Sequence, residues 1–115
     1  MTAITACTVP HDLSDLAAEV GPWQADRWPQ HENPVSKALK VAEEAGEVAG
    51  AVIKASEGRK SRMDIAAEIG DVVIALAGLC ETLDIPFGVA VGARWYEVCN
   101  RPHPRENRSN GEVTR

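Results

Sequence analysis

Apolar residues recur along most of this chain at three- and four-residue spacing, and no strand-length run alternates apolar with polar residues, so the pattern is that of helices. Leu13, Leu16, Ala17 and Val20 predict a first helix over 12–20, stopped or kinked at Gly21-Pro22. From Trp23 to Pro34, two Trp and two Pro with His31 and Asn33 predict a short helical piece and then a loop. A second helix is expected from Pro34 to about Ser56, ending before Gly58. Its positions Val35, Leu39, Ala42, Ala45, Val48, Ala49, Val52 and Ile53 follow the 3.6-residue period. Ser61 with Asp64 has the spacing of a helix start, giving a third helix to about Leu83. Asp84-Ile85-Pro86 breaks the pattern, and a fourth helix runs from about Phe87 to Cys99.

The expected fold is therefore all-α, with about four helices and two central antiparallel ones. Residues 1–11 read as a flexible N-terminus, 12–101 as one helical domain, and 102–115 as a mobile tail rich in Pro, Arg, Asn and Gly.

Helix three carries the informative anomaly. Between Ile65 and Cys80 only Glu68 and Asp71 are charged, while Ile65, Ile69, Val72, Val73, Ile74, Leu76 and Leu79 point to most sides. A helix apolar all round is normally buried. Three residues apart, the two acids lie about 60° apart around the axis and about 4.5 Å along it, on one face. Asp64 precedes them there, and Ala75 and Gly78 leave room for another helix or a ligand. Helix two repeats the design: Glu43, Glu44 and Glu47 are followed by six uncharged residues, Val48 to Ile53.

Folded back through the turn at Gly58, the two helices would bring Glu44, Glu47, Glu68 and Asp71 together. Each like-charge pair at about 4 Å costs on the order of 4 kcal/mol at an effective dielectric near 20. Protonation, pairing with Lys or Arg, or a divalent cation relieves this. Lys40 and Lys54 on helix two are too few for the acids, and Arg59, Lys60 and Arg62 sit at the turn. All-oxygen ligands suit Mg²⁺, with Mn²⁺ possible, and no His stands three residues from any of these acids, which disfavours a di-iron bundle. The competing reading is the wet face of an amphipathic helix. Against it stands the lack of polar residues beyond Asp71.

Composition narrows the remaining classes. The 115 residues are 44% apolar, enough for one modest core, and two helices apolar over most of their circumference call for a homodimer or homotetramer with a shared four-helix core. With 17 acidic against 12 basic residues, a net charge of -5 disfavours nucleic-acid binding. Three cysteines without a C-x-x-C pair suggest neither a disulfide framework nor a zinc site. Neither a signal peptide nor a membrane span is expected, and the cytoplasm fits best. Cys80 and Cys99 read as small apolar fillers within helices, and Trp23 and Trp95 as core or interface.

Glu43-Glu44-Ala45-Gly46-Glu47, a gap of 20 residues, then Glu68-Ile69-Gly70-Asp71 resembles the E-E-x-x-E and E-x-x-D signature of the MazG-like all-α nucleoside triphosphate pyrophosphohydrolases, relatives of the dimeric dUTPases and dCTP pyrophosphatases. The segment Asp26-Arg27-Trp28 with His31 and Pro34, and the ending Asn100-Arg101, extend the similarity over about Leu13 to Pro102. The resemblance implies hydrolysis of a nucleoside triphosphate, such as a dNTP or a non-canonical NTP, to monophosphate and pyrophosphate. Glu44, Glu47, Glu68 and Asp71 would be metal ligands, with Glu43, Glu44 and Glu47 in catalysis.

For the substrate, Trp28 has a flat face for a base, or packs on helix one. His31 reads as a ligand or as a loop histidine, and Lys54 as a phosphate contact or a solvated lysine. Glu43 orients a water or simply pairs with Lys40. Arg94, Asn100 and Arg101 complete the expected substrate contacts. The family's last helix commonly places a Lys on the phosphates, where this chain has Arg94 and Trp95. The rival class is a nucleotide-binding or regulatory bundle with weak catalysis.

Overall fold

The computed structural model of the chain describes residues 12–102. Among these it is all-helical, with four α-helices, one 3-10 turn and no strand. The helices are α1 (Leu13–Arg27), α2 (Pro34–Ser56), α3 (Arg62–Thr82) and α4 (Phe87–Cys99), and the 3-10 turn is Pro29–His31. The expected flexible N-terminus, residues 1–11, and all of the expected tail beyond Pro102 lie outside the described residues.

Local chemistry accounts for the boundaries. The side chains of Asp12 and Asn33 accept from the backbone N–H of Asp15 and Ser36, each at 2.8 Å, and so start α1 and α2. Ser61 and Asp64 form a reciprocal capping box at the start of α3: Ser61 Oγ accepts from Asp64 N at 3.2 Å, and Asp64 Oδ2 accepts from Ser61 N at 2.8 Å. Each long helix ends in a residue with a left-handed backbone, Gly58 (φ 76°) after α2 and Asp84 (φ 55°) after α3. At both ends the paired bonds of a Schellman turn satisfy the last carbonyls: Arg59 N to Lys54 O at 2.8 Å with Gly58 N to Ala55 O at 3.0 Å, and Ile85 N to Cys80 O at 2.9 Å with Asp84 N to Glu81 O at 3.3 Å. The start of α4 has no cap of its own. Ser14 of α1 supplies one, its Oγ accepting from Gly88 N at 3.1 Å.

The most extensive packing joins α2 to α3 as an antiparallel hairpin, and α1 lies along α3. Of the stop or kink that its residues predict at Gly21-Pro22, α1 does not take the stop; it continues as helix to Arg27. Pro22 forfeits one helical hydrogen bond. Packing on both sides of it keeps the segment helical: Ala17 and Val20 before it are buried in the core, and after it Gln24 sits on Gly78 of α3. Gly21 itself is pressed against Glu81, where a Cβ would lie 2.9 Å from Glu81 Cγ.

The core is small. Ala17, Val20, Ala77 and Phe87 are its buried members, with Leu13, Leu16, Val73, Leu76 and Cys80 packed around them. Phe87 ties the first turn of α4 to α1 and α3, and the α4 axis then turns away from α3 by 110°. Among the described residues nothing packs on the far end of α4: Cys99 is exposed rather than a filler, and Trp95 is 65% exposed, so it is not core among these residues. Nor is α3 buried all round: Ile69 and Ile74 on α3, like Leu39 and Ile53 on α2, stand open because the other described helices do not cover them. No single described helix is long and apolar enough to cross a membrane.

Candidate metal centre and adjoining cavity

The hairpin brings acids from both helices to one point. One carboxylate oxygen each from Glu44, Glu68 and Asp71 lie within 4.8 Å of one another. Glu44 is buried, Glu68 half-buried and Asp71 exposed, so the cluster opens to solvent on the Asp71 side. The Oε2 atoms of Glu44 and Glu68 are buried and have no hydrogen-bond partner. An unpaired buried carboxylate oxygen is costly. Two of them beside a third carboxylate form a set of hard oxygen donors that suits a small divalent cation. Ala75 and Gly78, the small residues that follow Asp71 on α3, are buried as the close approach of a neighbour requires.

Glu47 stands at the edge of this cluster and is exposed. The adjacent Glu44 carboxylate, and more weakly Glu68, holds Glu47 above the ordinary carboxylate range. Glu44 goes the other way. Its hydrogen-bonded ion pair with Lys40, Nζ to Oε1 at 2.9 Å, outweighs burial and lowers it. Lys40 also meets Glu43 Oε1 at 3.1 Å, and the two carboxylates, Glu44 foremost, raise the lysine further above its usual range. Glu43 is thus a solvent-facing partner of Lys40, outside the three-acid group.

A cavity of about 680 Å³, lined by α1, the 3-10 turn and the first turns of α2, adjoins the cluster through Lys40, which lines it and pairs with Glu44, whereas Glu44, Glu47, Glu68 and Asp71 do not line it. Trp28, His31, Lys40 and Glu43 lie on its wall together with Gln24, Glu32, Ser36, Lys37 and Leu39. Trp28 is 44% exposed and packs edge-on against Trp23 of α1, ring centroids 5.4 Å apart, while the Arg27 guanidinium covers the Trp23 ring at 4.4 Å. Trp28 therefore packs on helix one and still presents open surface to the cavity.

Sequence reasoning overlooked Lys37, a third lysine on α2. It is 7% exposed, and its ammonium is held by Glu32 Oε2 at 2.7 Å and by the Gln24 carboxamide, so it does not neutralise the acid cluster. Glu32 belongs to the loop after the 3-10 turn, and no spacing along the chain announces a pair made across that loop.

The other expected substrate contacts lie elsewhere. Lys54 is exposed, about 15 Å further along the α2 axis than Glu44. Arg94 pairs with Glu97 on its own helix at 3.3 Å, Asn100 donates to Tyr96 O at 2.7 Å, and Arg101 follows at the end of α4. None of these four lines the cavity. Compared with family models, with curated proteins and with solved structures, the chain gives no match.

Proposed function

We propose that this protein is a Mg²⁺-dependent nucleoside triphosphate pyrophosphohydrolase of the MazG-like all-α type, converting a dNTP or non-canonical NTP to monophosphate and pyrophosphate, with Mn²⁺ as a substitute. The observation that carries the reading is the meeting of Glu44, Glu68 and Asp71 with two buried carboxylate oxygens left unpartnered. Those three residues, with Glu47 at their edge, would hold the ion. When bound, it screens the charge of a triphosphate and lowers the pKa of a water. The adjoining cavity has room for a nucleoside, with the Trp28 face for stacking and His31 for hydrogen bonding. The open apolar residues of α2 and α3 support a homodimer or homotetramer, and a cytoplasmic location belongs to the same reading.

One feature favours a second reading, a nucleotide-binding or regulatory bundle with negligible turnover: Arg94, Asn100 and Arg101 stand apart from the cavity, which leaves the phosphates few cations. Pyrophosphate release from a panel of canonical and modified triphosphates, with Mg²⁺ or Mn²⁺ at high enzyme concentration, separates the two. Turnover that Glu68→Gln abolishes is the expected result. Tight binding without turnover favours the regulatory reading, and neither binding nor turnover refutes both.

A further inference from the structure

We propose that Lys40 is a resident counter-cation of the carboxylate cluster, which competes with a divalent ion for the negative charge of Glu44 and thereby sets the cluster's metal affinity. The inference rests on reading the cluster as a cation site and adds a control to it.

Lys40 lies one turn before Glu44 on α2 and places its ammonium 2.9 Å from Glu44 Oε1 and 3.1 Å from Glu43 Oε1. The two ends of the main pair differ in freedom. The Glu44 side chain is 8% exposed and fixed by its surroundings, whereas that of Lys40 is 55% exposed, so the lysine is the partner that moves. Its hold on the cluster is also incomplete, because Glu44 Oε2 and Glu68 Oε2 remain without any partner. One positive charge against three carboxylates leaves a negative remainder that a divalent ion neutralises better. A divalent ion on Glu44 would then stand within a few ångströms of the ammonium, and two cations at that separation repel. Lys40 has somewhere to go: it already lies on the cavity wall, close to where an anionic ligand would sit. Release from Glu44 therefore turns a metal competitor into a cation facing the cavity.

Mn²⁺ titration of the full chain without nucleotide, read by the electron paramagnetic resonance of the free ion, tests this. Lys40→Gln is expected to bind Mn²⁺ about three- to ten-fold more tightly than the wild type, the gain that corresponds to removing one or two partly exposed ion pairs. Lys40→Arg, which keeps the charge, should stay near the wild type. Lys54→Gln removes a charge about 15 Å further along the helix, beyond the Debye length of about 10 Å at 0.1 M salt, and should change nothing. Unchanged or weaker binding by Lys40→Gln overturns the inference, as does equal tightening by Lys54→Gln. If the wild type itself binds no Mn²⁺, the cation-site reading falls and takes this inference with it. Circular dichroism of each variant establishes that its helices are intact, and should Lys40→Gln lose helicity, Lys40→Met removes the same charge with a residue of similar helix propensity and is expected to show the same tightening of about three- to ten-fold.

Discussion

The carboxamide of Gln24 occupies the space that a side chain on Gly78 would need: a Cβ there would fall 2.9 Å from Gln24 Cδ and 3.0 Å from its Nε2. The same carboxamide accepts from the buried ammonium of Lys37 on the cavity wall. One missing methyl on α3 thus lets α1 hold a charge on α2.

Gly78→Ala should turn Gln24 aside and deprive Lys37 of a partner, lowering stability by about 1–2 kcal/mol, the roughly 1.5–3 kcal/mol of a hydrogen bond to a charged group less the gain of about 1 kcal/mol from Ala in a helix. In a Gln24→Ala background the obstruction is gone, and the substitution should become neutral or stabilising, since Ala is favoured over Gly within a helix by up to about 1 kcal/mol. Urea melts of the four proteins give this coupling. Additive effects would rule out the contact.

Paired substitution of Glu68→Gln and Asp71→Asn is expected to leave the melting temperature of the metal-free protein unchanged or higher, because crowded negative charge is relieved. The same protein should lose the rise in melting temperature that Mg²⁺ or Mn²⁺ gives the wild type. A metal-free protein that melts well below the wild type would point instead to a structural role for these acids.

Asp64 is held below the ordinary carboxylate range, first by the backbone N–H of Ser61 and then by the Ser61 hydroxyl. A depressed folded-state value stabilises the protein at pH above the unfolded value of about 3.9, and that contribution disappears as the pH falls through the lower folded value. The wild type should therefore melt above Asp64→Ala at pH 7, and the gap should close on acidification below pH of about 4. Thermal melts across that range check the sign.

Asp84 takes the left-handed backbone at the end of α3, a conformation that Gly adopts without steric cost. Asp84→Gly should raise stability or leave it unchanged, within about 1 kcal/mol, whereas Asp84→Val should lower it by about 1–2 kcal/mol, as expected for a β-branched residue forced into that region. Denaturant midpoints of the two variants distinguish this from a turn without strain.

Helix periodicity and end chemistry were legible in the residues. Pro34 starts α2, Gly58 follows its end, Ser61 with Asp64 starts α3 and Pro86 precedes α4, all signals carried within a few residues of chain. The convergence of Glu44 with Glu68 and Asp71 was legible too, since two three-residue spacings on helices joined by a short turn leave few other arrangements.

Tertiary packing decided the rest. It carried α1 through Pro22, because contacts with α3 on both sides outweigh a local break. It buried Lys37 against Glu32 and Gln24, and it left Glu43 with Lys40 outside the three-acid group. It also bent α4 away from α3 and left Arg94 off the cavity wall. Caps and periods act over one or two helical turns and are written locally; the path of a helix across a proline, or the partner of a buried charge, depends on which surfaces meet, and that is fixed only when the whole chain packs.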